Sequence, residues 1–128
     1  MRAHLLRLVS ILSLTVAVYW IPTGYYFCGF DDIRELYRLH STPNPGLAHD
    51  FATPVIGGGQ KYRPLSWTAN RLTWEAGRGS PRWFRIRNLI CHLVAIICVY
   101  SISWFLFGSL NAAALAALLF SIHPYTHQ

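Results

Sequence analysis

The sequence predicts an all-α membrane protein with three transmembrane helices and a long external loop carrying short amphipathic helices. Of 128 residues, 53% are apolar and only 12% charged, about half the roughly 25% charged share of a soluble domain. So few charges cannot cover the surface of so much apolar mass. Aromatic residues make up 15%, which excludes a disordered chain, since such chains are poor in rings and rich in charge. Two uncharged stretches, Leu8–Phe30 and Leu89–Ile122, are long enough to reach across a bilayer core of about 30 Å.

The N-terminus, Met1-Arg2-Ala3-His4-Leu5-Leu6-Arg7, has the positive start and apolar follow-on of a signal peptide. The one small-x-small candidate for cleavage, Thr15-Val16-Ala17, falls inside the apolar core. Tyr19, Trp20, Tyr25 and Tyr26 form an aromatic collar of the kind found where a helix leaves the bilayer. The expectation is an uncleaved membrane helix over 5–22, ended by Pro22 and Gly24.

Residues 23–83 read as an external loop, holding most of the basic residues. Asn44-Pro45-Gly46 is a turn signal and Gly57-Gly58-Gly59 a flexible break. Leu65 to Ala76 has helical period, with Leu65, Ala69, Leu72 and Ala76 on one side. Trp67, Arg71, Trp74 and Arg78 fall on the other. Pro64 suits the helix start, Gly77 and Gly79 its end. Interleaved Arg and Trp fit the headgroup layer, leaving the Leu face to pack on protein. A plain surface helix of a small extramembrane lobe is the competing reading.

From Leu89 to Ile122 a single helix of 34 residues would extend about 51 Å, too long for one straight span. Gly108-Ser109-Leu110-Asn111 breaks it, giving helices over 85–107 and 111–123. The second is rich in alanine, which permits close packing in lipid. Cys28, Cys91 and Cys98 give neither an even set nor a CxxC pair, so no disulfide framework or zinc site is expected. Cys91 and Cys98, seven apart, read as small buried hydrophobes on one helix side. Arg2 and Arg7 favour a cytoplasmic N-terminus, which places the loop and the C-terminus on the external face.

The net charge of +6 suits membrane lipid or a phosphorylated ligand. No nucleic-acid partner is expected, because the chain is apolar and lacks zinc-finger, RNP and basic-helix patterns. Asp31 and Asp32 lie just after the first helix. Paired carboxylates there can share a proton, ligate a divalent cation, or supply one general base. They also suit a helix N-cap, with Glu35 three residues after Asp32. Lys61-Tyr62-Arg63-Pro64 gathers cationic donors and a phenol at a rigid turn, where Arg63 can grip phosphate bidentately. Arg85, Asn88 and His92 share a helix face, which must meet protein or water rather than lipid. His123-Pro124 closes the third span on the side of the acidic pair.

These residues occur in a familiar order. The acidic pair precedes Tyr62-Arg63-Pro64-Leu65, then Phe84-Arg85-Ile86-Arg87-Asn88-Leu89-Ile90-Cys91-His92-Leu93, then Leu118-Leu119-Phe120-Ser121-Ile122-His123-Pro124. From about residue 20 onward the chain resembles the N-terminal portion of GT-C fold membrane glycosyltransferases. It is most similar to the protein O-mannosyltransferase-like group that includes the transmembrane tetratricopeptide proteins and their bacterial relatives.

The resemblance implies sugar transfer, mannose-like, from a polyprenyl-phosphate donor to an acceptor, such as a protein, on the lumenal or periplasmic face. The setting would be the endoplasmic reticulum or a bacterial inner membrane. It implies Asp31 or Asp32 as general base. Arg63, with Lys61 and Arg71, would hold the donor phosphate, and Tyr62, Asn88, His92 and His123 would give polar support. No cofactor is implied beyond a cation at the acidic pair. Two departures from relatives are Arg85 in place of a His and Gln128 in place of a Glu. Three spans are too few to enclose a lipid-phosphate site, so the chain reads as the front portion of a longer enzyme. The alternative is a small non-catalytic multi-pass protein whose basic loop docks anionic lipid or a partner.

Overall fold

The computed structural model describes residues 2–24, 37, 40, 51–52 and 62–122. These residues are mainly helical, and no strand occurs among them. Helix α1 spans Arg2–Trp20 and passes into a 3-10 turn over Ile21–Gly24. Helix α2 spans Pro64–Gly77, α3 spans Pro81–Phe107, and α4 spans Leu110–Ile122. The expected helices 5–22, 85–107 and 111–123 are thus present, with ends displaced by up to four residues.

The chain divides into two compact units, one of Met1–Gly24 with Arg85–Gln128, the other of Tyr25–Phe84. The first unit is a bundle of α1, α4 and most of α3. Its core is Ile11, Ile96, Tyr100, Ala113 and Ala117, with Leu8, Leu12, Leu93 and Phe120 packed against it. The buried residues of α3 are Leu89, His92, Ile96, Tyr100 and Ser103. They step by three and four, so one narrow stripe of the helix meets its neighbours. On α4 the buried set is Ala113, Ala117 and Ser121, one residue per turn. These small side chains let the backbones of α1 and α4 approach closely, the packing mode available where lipid removes the hydrophobic drive between helices.

A few polar groups share the apolar inside of this bundle, and large apolar ones cover its outside. Thr15, His92, Ser103 and Ser121 are buried, whereas Leu5, Val9, Val18, Val94, Phe105 and Leu119 are exposed. The Thr15 hydroxyl donates to the Ile11 carbonyl at 2.8 Å and the Ser121 hydroxyl to Leu118 at 2.8 Å. Such back-bonds satisfy a hydroxyl within its own helix. Helices α1 and α3 are long and apolar enough to cross a membrane, with mean hydropathy of 1.5 and 2.2 over their most apolar windows. Helix α4, with 13 residues, extends only about 20 Å, short of a core of about 30 Å. Two candidate spans therefore stand in the described residues where the sequence predicts three. Cys91 and Cys98 are both exposed on α3, which corrects their reading as buried. Only the stripe through Ile96 meets the core, and they lie off it.

The predicted break between the last two helices is two residues long. Gly108 takes φ +59°, a left-handed conformation that costs glycine no Cβ clash. Its N–H donates to the Trp104 carbonyl at 2.9 Å, ending α3. Ser109 then starts α4, its hydroxyl accepting the Ala112 N–H at 3.4 Å.

In the second unit α2 starts at Pro64, which lacks the N–H that a first helical turn leaves unused. It ends at Arg78 with φ +50° and Gly79 with φ +76°. The Gly79 N–H donates to Trp74 and the Ser80 N–H to Gly77, at 3.1 and 3.0 Å. A Cβ on Gly77 would stand 2.7 Å from Trp83 side-chain atoms. The corner leading into α3 is therefore close-packed at Gly77.

Candidate functional site

Tyr62 and Arg63 immediately precede α2 and are both exposed. The Arg63 carbonyl accepts the Trp67 N–H at 3.1 Å, and Pro64 follows as the first helical residue. The backbone of Arg63 is thus fixed by the helix start while its guanidinium reaches solvent. The Tyr62 hydroxyl donates to the Phe51 carbonyl at 2.6 Å. Arg71 stands differently. It is 8% exposed, with its guanidinium carbon 5.7 Å from the Trp67 ring centre. Trp67 is itself buried, packed with Trp74 and Phe84, and Trp74 meets His40 edge to face. An arginine over an indole face gains cation–π attraction, and here it belongs to the packing of the unit.

The face of α2 that packs is therefore the Trp67–Arg71–Trp74 side. Leu65 and Leu72, expected against protein, are 74% and 56% exposed. The helical period is as the sequence predicts, with inside and outside exchanged. The rings of Trp67, Trp74 and Phe84 bury far more apolar area than two leucines and two alanines offer.

In the first unit, His92 lies where α1, α3 and α4 meet. Its Nε2 is 3.3 Å from the Ser121 carbonyl of α4. Its ring stacks on Phe120 at 5.5 Å and meets Tyr19 of α1 edge to face at 5.8 Å. His92 thus packs against side chains and backbone of the two neighbouring helices. Asn88 is exposed and accepts from Arg87 through Nε and Nη2 at 3.3 and 2.9 Å. Arg85 is half-buried. Asp31, Asp32, Lys61 and His123 lie outside the described residues. So does Cys28. Among the described residues no group of three His, Cys, Asp or Glu is placed to hold a metal.

Two further polar contacts were missed in the sequence. His4 Nδ1 lies 3.1 Å from the Tyr100 hydroxyl, with the His4 ring 4.2 Å from that of Trp104. Arg7 donates to the Asn111 side chain. The signal for the first was present: His92, Ile96, Tyr100 and Trp104 recur at four-residue steps along α3.

Comparison with known proteins adds a consistent finding. The chain is 30% identical to Protein O-mannosyl-transferase TMTC3 of Homo sapiens, over 94% of this chain and 14% of that protein. It is 32% identical to Protein O-mannosyl-transferase Tmtc1 of Drosophila melanogaster, over 61% of this chain and 9% of that protein. Protein O-mannosyl-transferase F38B6.6 of Caenorhabditis elegans is 27% identical over 92% of this chain and 19% of its own length. No family model matches, and no solved structure does. The chain thus spans less than a fifth of the length of these relatives. All three are named protein O-mannosyl-transferases, and the chain is similar to the human and nematode proteins over more than nine-tenths of its length and to the fly protein over 61% of it.

Proposed function

We propose that this chain is a portion of an integral-membrane glycosyltransferase that moves a mannose-like sugar from a polyprenyl-phosphate donor to an acceptor on the external or lumenal face. The observation that carries this reading is the similarity to protein O-mannosyl-transferases over 94% of the chain. The bundle with its apolar exterior supports a membrane setting. Arg63 supports a phosphate grip: its backbone is set by the start of α2 and its side chain is exposed. A guanidinium offers phosphate two parallel hydrogen bonds, which an ammonium cannot copy. In this reading Asp31 or Asp32 takes the proton from the acceptor hydroxyl as that oxygen attacks the sugar carbon bonded to phosphate; the carbon–oxygen bond to phosphate breaks, and the polyprenyl phosphate leaves as an anion beside Arg63. Lys61 adds charge near the phosphate. Arg71, expected beside Arg63 and Lys61 as a phosphate ligand, is buried against the Trp67 ring and in this reading supports the helix that follows Arg63. The N-terminus is cytoplasmic.

The test uses the longest natural form of the protein in membranes, supplied with dolichyl-phosphate mannose. Asp31→Asn and Asp32→Asn are made separately. One of them should lose turnover by about 10²-fold or more, the usual contribution of a general base, with expression unchanged. Arg63→Lys should require about tenfold more donor, since about 1.4 kcal/mol is a factor of ten, while Arg78→Lys costs little. Full transfer by both Asp variants overturns the base assignment. Equal, small effects of the two Arg variants make the loop's charge a diffuse lipid attraction and overturn the donor site.

A further inference from the structure

A groove of about 490 Å³ runs between α1 and α4. That volume falls within the range of roughly 300–1,000 Å³ of small-ligand sites. Its apolar wall includes Leu6, Ile11, Ala114, Leu115 and Leu118. Ala114 leaves room that a larger side chain would fill. From Asn111 to Leu118 the groove follows α4 for about 10 Å. At one end Arg7 and Asn111 line it, joined by the hydrogen bond between their side chains.

The charge at that end is unmatched within its own unit. Arg7 is exposed and lies five residues into α1, about 7.5 Å along the helix. The acidic residues of the chain are Asp31, Asp32, Glu35, Asp50 and Glu75. None falls in Met1–Gly24 or Arg85–Gln128, the segments that build this unit. Asn111 offers only a neutral amide. A cation near the end of a membrane helix reaches toward the interface, where the abundant anion is a lipid phosphate. The groove thus has a cationic end followed by an apolar trough, the pattern of one phospholipid headgroup and the first part of an acyl chain.

We propose that the α1–α4 groove is a binding site for an anionic phospholipid, with its phosphate on the Arg7 guanidinium and an acyl chain along Leu6, Ile11, Ala114, Leu115 and Leu118. The proposal rests on the membrane reading of the bundle and not on sugar transfer. Its test measures no transfer, so the two can fail separately.

The probes are dioleoyl phosphatidylglycerol and dioleoyl phosphatidylcholine. Each is titrated into the purified protein in neutral detergent and followed by native mass spectrometry. The wild type should bind phosphatidylglycerol at least tenfold more tightly. Arg7→Gln should lose that preference, while Arg2→Gln, at the first turn of α1, keeps it. Ala114→Phe should weaken both lipids by filling the trough. Millimolar inorganic phosphate should displace neither. Equal binding of the two lipids by the wild type, or a preference retained in Arg7→Gln, overturns the proposal. So does unweakened binding by Ala114→Phe, or displacement by phosphate, which would make the site one for a free anion. If Arg7→Gln does not fold, the wild-type lipid ratio and Ala114→Phe decide the matter.

Discussion

The two units of this chain solve opposite problems with similar residues. In the bundle of α1, α3 and α4, hydroxyls and an imidazole are buried beside Ile11, Leu89, Ile96 and Tyr100, and many further leucines, valines and phenylalanines face outward. In the unit containing α2, tryptophans and an arginine face inward, and the leucines of the same helix face outward. Exposed apolar residues have the same appearance in both, yet the physical reason differs. On the bundle they continue along two helices long and apolar enough to cross a bilayer, which fits a lipid surrounding. On α2 they are what remains after larger rings have taken the interior. Exposure alone does not name the medium; helix length and the content of the interior do.

The largest effect should come from breaking the aromatic interior of the second unit. Trp67→Ala removes its buried ring and the partner of Arg71, a loss of about 3–5 kcal/mol by analogy with buried aromatic truncations. Limited proteolysis should then cut near α2 readily while the bundle helices remain in the membrane fraction. Loss of the whole protein from the membrane would mean that the two units do not stand independently.

A smaller, paired effect sharpens the comparison inside the bundle. Ile96 is fully buried and its neighbour Ile97 is 39% exposed. Ile96→Ala should cost about 2–5 kcal/mol through lost contacts and a cavity. Ile97→Ala should cost well under half of that, because lipid fills the space it leaves. Thermal unfolding of the two variants in one detergent measures the difference. Equal costs would show that α3 has no single inward stripe.

Much of this was readable in the sequence, and the exceptions have physical causes. The long helices follow from uncharged runs, and the break at Gly108 follows from a glycine needed at φ +59°. The period of α2 was clear, but its inward face was not. Hydrophobicity ranks Leu65 and Leu72 above an Arg–Trp face, whereas packing area and cation–π contact favour Trp67 and Arg71 inside. Cys91 and Cys98 were assigned to a buried side because both are apolar and share a helix face. In a helix that is apolar nearly all round, only contact with neighbours selects the face, and the stripe ran through Leu89, His92, Ile96 and Tyr100. Of the candidate site, the spacing of His92 indicates a protein-facing position, and the structure buries it among neighbouring helices. Its stacking partners Tyr19 and Phe120 are not legible in that spacing, because they come from other helices.

The most direct test of the membrane bundle uses the two native cysteines of α3. Cys91 and Cys98 are exposed, about 15 and 26 Å from the start of α3 by helical rise. With Cys28→Ser as background, intact and permeabilised membranes are treated with a charged, membrane-impermeant maleimide. A thiol facing lipid is out of reach of such a charged reagent. Neither cysteine should label until the membrane is dissolved in sodium dodecyl sulfate, and both should label then. Rapid labelling of both in intact or permeabilised membranes would place that face of α3 in water and contradict the account.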